Sequence, residues 1–155
     1  MFNNEIQAII SQLNDNIPQF NGNGYYIEKG VEGFKFSDAI PFWYFIDWPE
    51  GENFDISQDD ISIINGFRAT ANLRLIARFT GVNICDAVEV MAGNILKSRC
   101  STFIQSISID ESMILEQDLG LKAPRRDIQM MRILFTITKP ASLKCTGLIC
   151  DDDTC

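Results

Sequence analysis

The hydrophobic positions of this chain change period several times along its length, and each change marks an element. Ile6, Ile9, Ile10 and Leu13 recur at i, i+3, i+4 and i+7 between Glu5 and Leu13, which predicts an amphipathic helix. Asn3 or Asn4 is placed to cap it, and Pro18 lies beyond its end. The NGNG run from Asn21 to Gly24 then reads as a turn, because both residue types tolerate positive φ. Two β-rich runs follow. One covers Tyr25 to Glu28; the other begins at Phe34 or Pro41 and ends at Trp48, where PFWYFIDWP is bounded by two prolines.

The segment from Glu50 to Asp60 holds Glu50, Glu52, Asp55, Asp59 and Asp60 and no base, so it reads as an exposed loop or a short excursion between strands. Ile61, Ile63 and Ile64 lead into Gly66. A long strand is then predicted from Phe67 to Phe79, with Leu73, Leu75, Ala77 and Phe79 on a buried face and Arg74, Ile76 and Arg78 on the other. Thr80-Gly81 breaks it. Asn83 is the expected cap of a helix from Ile84 to Lys97, whose inner stripe is Ile84, Val88, Met91 and Ile95. Asp86 and Glu89 near its start and Lys97 and Arg99 near its end suit the helix dipole. Strands are predicted at Phe103–Ile109 and at Ile128–Thr138, the second stopped by Pro140, with a long connection from Asp110 to Asp127 between them. The alternating strands predict an α+β fold, a mostly antiparallel mixed sheet packed by two helices. Residues 1–140 form a single domain in this reading, and 141–155 a polar, cysteine-bearing tail.

Composition narrows the function classes. The chain has 155 residues, 46% hydrophobic and 22% charged, which suits one globular domain with a real core. A net charge of -8 argues against a non-specific nucleic-acid binder, which needs a basic face. No apolar run is long enough to cross a bilayer, and MFNNEIQAIISQLNDN lacks both a basic region and a cleavage site. The expectation is synthesis and work in a cytoplasmic environment, without a membrane. Cys85, Cys100, Cys145, Cys150 and Cys155 are odd in number and lack CxxC spacing, so free thiols are expected.

Candidate chemistry is sparse. The chain has no histidine, which removes Ser-His-Asp and Cys-His arrangements and histidine-ligated metals. The strand-to-helix junction FTGVN carries none of the glycine patterns that cradle phosphate or present a nucleophile, so it reads as a structural turn. The five-residue spacing of the tail cysteines does not match zinc ligands, and the acids near Asp59 lack calcium-loop spacing; no cofactor or metal is expected. Phe42, Trp43, Tyr44, Phe45 and Trp48 suit core or interface packing. As an alternative, the strand 41–48 would wall the pocket of a small peptide- or ligand-binding module. Lys122, Arg125, Arg126 and Arg132 form a basic cluster, and arginine makes bidentate pairs with carboxylates well.

The order of an amphipathic helix, aromatic strands, GFRATANLRLIARF, NICDAVEVMAGNIL, TFIQSISID and, after a charged connection, MMRILFTIT resembles the tail-terminator and tail-completion proteins of tailed bacteriophages. The resemblance spans Glu5 to Thr138; the acidic segment Glu50–Asp60 and the cysteine tail depart from it. It implies a structural, non-enzymatic protein of the virion, assembled in the host cytoplasm as a homo-oligomeric ring at the neck or tail end. Such a ring meets portal, connector or tail proteins and leaves a lumen for DNA in transit, and acidic walls would let DNA slide. The candidate subunit contacts are Lys122, Arg125 and Arg126, the acids Asp59 and Asp60, and Arg74 and Arg78 on the strand face away from the apolar stripe. Reversing the charge of Arg125 and Arg126 should impair ring assembly measured by light scattering; normal assembly of that variant would remove them from the interface.

Overall fold

The computed structural model describes residues 2–29, 40–52, 54–58, 67–98, 100–109 and 128–141. Helix α1 (Asn3–Asn16) is followed by a single 3-10 turn at Pro18–Phe20 and a short strand β1 (Gly24–Tyr26). Strands β2 (Trp43–Asp47), β3 (Phe54–Gln58) and β4 (Phe67–Thr80) come next, then helix α2 (Ile84–Lys97), β5 (Ser101–Ile109) and β6 (Ile128–Ala141). The six strands form one sheet in the order β1-β2-β4-β6-β5, with β3 also on β4. β1 and β2 are parallel and the described pairings otherwise antiparallel, so the fold is α+β with a mostly antiparallel mixed sheet.

The spine of the sheet is the pairing of β4 with β6, which runs without a register shift from Phe67↔Ala141 to Thr80↔Ile128. Side chains alternate across it. Ala69, Ala71, Leu73, Leu75, Ala77 and Phe79 of β4 and Met131, Ile133, Phe135 and Ile137 of β6 face the helices and are buried. Against them α1 sets Ile6, Ile9, Ile10 and Leu13, the stripe its spacing foretold. From α2 come Met91 and Ile95, with Ile84 and Val88 half-buried beside them. α2 begins where expected: the Asn83 side chain accepts from the backbone N–H of Cys85 at 2.9 Å and of Asp86 at 3.4 Å.

Four expectations need correction. Neither Asn3 nor Asn4 caps α1. Phe2 holds that position without a side-chain cap bond, because its own ring is buried in the core and fixes where the helix starts. The acidic segment is not all loop: Phe54 to Gln58 is a strand on β4, with Phe54 and Ile56 alternating against Asp55 and Ser57. Pro140 does not stop β6, which continues to Ala141. By Pro140 the strand has outrun β5, whose pairing starts at Ser101↔Thr138, and a proline is tolerated where one side has no ladder. Finally, β4 is buried on both faces in its second half. Ile76 joins Trp43, Phe45 and Met130 in a second cluster on the side away from the helices. A strand start at Phe34, the Ile61–Gly66 lead-in, the connection 110–127 and the tail beyond Ala141 lie outside the described residues.

One contact ties α1 to the sheet. Tyr44 is fully buried in β2 and donates its hydroxyl within reach of the Ile10 carbonyl at 3.1 Å and the Asn14 Oδ1 at 2.8 Å. Its ring lies over Gly24, its register partner in β1, where any side chain would fall on the ring. Phe20 meets the ring edge-on at a centroid distance of 4.7 Å. Burial pushes the Tyr44 hydroxyl well above its ordinary value of 10.0. In the unfolded chain it ionises near that value, in the folded chain only higher. This contribution to stability is therefore complete below pH 10 and lost as the pH rises past it. Tyr44→Phe should lower stability by about 1–2 kcal/mol at neutral pH. It should also flatten the fall in urea midpoint above about pH 10.

Candidate functional site

Among the residues expected at a subunit contact, only Arg74 and Arg78 fall within the described part of the chain; Lys122, Arg125, Arg126, Asp59 and Asp60 lie outside it. Both arginines point to the sheet face away from the helices, as the alternation of β4 requires. Arg74 stands opposite Asp47, the last residue of β2. Its Nε donates to Oδ1 at 2.8 Å and a terminal nitrogen to Oδ2 at 2.6 Å, a bidentate ion pair that leaves both side chains partly exposed. Arg78 sits in register with Trp43 and Met130 and keeps 4% of its surface. The Arg74 guanidinium is committed within the chain, and Arg78 is buried, with little surface left to offer a neighbour.

The same face divides into two zones. At the β2 end Trp43 and Phe45 stack at 6.1 Å and 20°, with Ile76, Met130, Tyr25, Ile27 and Ile40 around them. Trp43, Tyr44 and Phe45 are buried, so the aromatic strand is core on both faces; Phe42 lines a groove described below. At the β3 end the face is polar, with Thr70, Asn72 and Thr136 beside the exposed Asp55 and Arg68. A bulge between Ile104 and Ser106 turns Gln105 onto it, where its amide donates to Thr136 Oγ1 at 2.7 Å and to Asn72 Oδ1 at 3.1 Å. Thr136 donates to Asn72 at 2.9 Å, and Asn72 donates to Glu52 Oε2 at 3.2 Å.

On the helix side, a groove of about 480 Å³ runs between the end of α1 and the start of α2, lined by Ile17, Phe42, Phe79, Val82, Val90 and Met91 among others. A polar groove of about 420 Å³ lies beside the start of α1, where Lys139 pairs with Glu5 at 3.0 Å and stands 5.0 Å over the Phe2 ring. Cys100 lines it, its Sγ 3.5 Å from the Glu5 carbonyl oxygen. Burial first, and the Glu5 charge second, push this thiol up and keep it protonated. Cys85 is an exposed free thiol on the first turn of α2. Among the described residues no cluster of three cysteine or acidic side chains could hold a metal, and no helix is long and apolar enough to cross a membrane.

The edges of the sheet carry what the composition did not reveal. Phe54 and Ile56 on β3 are 41% and 39% exposed, and Ile107 and Ile109 on β5 are 36% and 47% exposed. Phe103 of β5, on the opposite face, is 68% exposed. The alternation of Phe54 and Ile56 inside an acidic run was the only signal for the β3 edge, and the charge count concealed it.

No family model and no curated protein matches this chain. Among solved structures it is similar to a chain in a structure described as "Virion of native gene transfer agent (GTA) particle". The match covers 87% of this chain and 93% of that one, at 11% identity and a TM-score of 0.47.

The Asp47–Arg74 pair is half-buried and bidentate, above the usual worth of a surface ion pair but still open to solvent. Asp47→Ala should cost about 1–2 kcal/mol in chemical denaturation. If the pair serves folding alone, that variant keeps the oligomeric state of the wild type; a change in oligomeric state at unchanged secondary structure would assign it to an interface.

Proposed function

We propose that this chain is a structural virion subunit of a phage-like particle. Copies of it form a ring at the neck or tail end that joins the connector to the tail and leaves a lumen for DNA. The observation that carries this reading is the state of the sheet edges. Both β3 and β5 present large apolar side chains to solvent, and a soluble monomer normally guards such edges against pairing. A chain with an apolar surface on two opposite edges is suited to head-to-tail contacts, which close into rings when the rotation between copies allows.

Other features support the same reading. The net charge of -8 repels DNA, as the wall of a conduit must. Around Gln105, Asn72 and Thr136 the outer sheet face is a network of hydrogen-bonded amides and a hydroxyl, which suits contact without reaction. The element order matches the resemblance drawn from the sequence, with one strand added. The portal, connector and tail proteins are the expected neighbours, and the expected location is the virion after assembly in the host cytoplasm. In this reading the chain is not an enzyme.

Light scattering and negative-stain imaging across a concentration series test it. Rings with a fixed number of subunits are expected. A protein that stays monomeric at millimolar concentration, with tryptophan fluorescence that saturates on adding a small apolar ligand, would overturn the ring and favour a binding module built on the groove beside Phe42.

A further inference from the structure

The two edges match each other in direction and face. β3 is antiparallel to β4, β4 to β6, and β6 to β5, so β3 and β5 run in opposite directions. A second copy set beside the first in the same orientation therefore brings its β3 against β5 antiparallel, the pairing that dominates the sheet. Phe54 and Ile56 lie on the helix side, opposite Ala71 and Ala69. Ile104, Ile107 and Ile109 lie on that same side, opposite Phe135, Ile133 and Met131. β3 is flanked by Glu50 and Glu52 and carries Asp55, and β5 has no acidic residue to repel them.

A step in the first edge sets the register. Level with the far end of β5, β1 stands one strand further out than β3, on β2. Through β2, β4 and β6, Gly24 stands level with Ile109 and Tyr26 with Ile107. A neighbour docked level with the first copy would drive its β1 into β5. Sliding the neighbour along the strands by four residues, about 14 Å, takes its β1 past Ile109. The same slide places Phe54 opposite Ile107 and Ile56 opposite Ile104, helix side to helix side, with Asp55 opposite Ser106 and Ser57 opposite Phe103 on the other face. Only an even shift keeps the two faces matched, and this shift meets both demands.

We infer that neighbouring copies join by adding β3 of one to β5 of the next, antiparallel and staggered by four residues, with Phe54 on Ile107 and Ile56 on Ile104. This rests on the ring reading and specifies its contact. A constant stagger per subunit is also what a sheet needs to close into a barrel with tilted strands.

Charge placed at the paired positions tests it. Phe54→Lys and Ile107→Lys should each raise the concentration for half-assembly about tenfold or more, with the far-UV circular dichroism of the wild type. Phe54→Lys with Ile107→Glu should assemble far better than Phe54→Lys with Ile107→Lys, since lysine and glutamate then meet across the contact. Because Phe54 also touches Phe2, at 6.3 Å between ring centroids, Ile56→Lys with Ile104→Glu against Ile56→Lys with Ile104→Lys repeats the comparison away from that ring. If rings form and the single lysines leave them unchanged, the strand addition is wrong while the ring stands. If the singles disrupt rings but opposite charges restore nothing in either pair, the stagger is wrong. A wild type that never assembles overturns both readings.

Discussion

The uninterrupted ladder between β4 and β6 is the constraint on which the rest of the structure depends. Each strand has 14 residues, so the ribbon they make is about 47 Å long. Each helix also has 14 residues but spans only about 21 Å. Neither helix alone can cover the apolar side of the ribbon, yet every inward residue of β4 from Ala69 to Phe79 is buried. The remainder is supplied by side chains just outside α1. Phe2 lies before its first turn, and Ile17 and Phe20 after its last, and all three are buried in the same cluster. The absence of a side-chain cap on α1 follows from this, because the residue at that position is needed as core.

The ribbon's length also explains why one edge strand is divided. β2 pairs with Arg74 to Arg78 and β3 with Phe67 to Ala71, so the two share one side of β4 in sequence. Between them the chain leaves the sheet at Trp48 and turns at Pro49 to Glu52, where the Glu52 N–H donates to the Pro49 carbonyl at 3.0 Å and Gly51 takes φ 78°. The excursion is tied back. Trp48 donates to the Tyr26 hydroxyl at 2.8 Å, Lys29 reaches the Glu52 carbonyl at 2.8 Å, and Asn72 holds the Glu52 carboxylate. The break separates an apolar zone under Trp43 and Phe45 from a polar zone around Asn72 and Gln105. It also makes the step that sets β1 one strand further out than β3.

Where a single physical signal dominated, the sequence was sufficient. α2 has a period, a cap and opposite charges at its ends, and its limits are those read from the chain. The inward face of β4 followed from alternation alone. The misses arose where two signals competed. In 50–60 the acids outweighed a period-two pattern of two apolar residues, although a strand at an edge needs only that much. At Pro140 the rule against proline in strands held less force, because pairing with β4 on one side sufficed. The second cluster was not legible at all: Ile76 and Arg78 read as an outward face, because the strands that cover it, with Phe45 beside Ile76 and with Trp43 and Met130 beside Arg78, are distant in the chain. Of the candidate contact residues, Arg74 and Arg78 were placed on the correct face. The ion pair of Arg74 depends on Asp47, more than 25 positions away in the chain.

The two ends of the sheet show that this chain guards an edge in one place and leaves it unguarded in another. Where β6 outruns β5, the overhang carries Lys139 and Pro140, a charge and a missing N–H that discourage a further strand. β5 itself reads STFIQSISI, with neither lysine nor proline and with a bulge as its only irregularity. β3 places one acid, Asp55, between its apolar pair without breaking the alternation. Folding of the chain does not require Phe54, Ile56, Ile107 and Ile109 to be large, since each remains more than a third exposed. Leaving them so exposes apolar area at about 25 cal/mol per Å² that small polar residues would not. The unguarded edges are therefore better explained by something that covers them than by the fold that presents them.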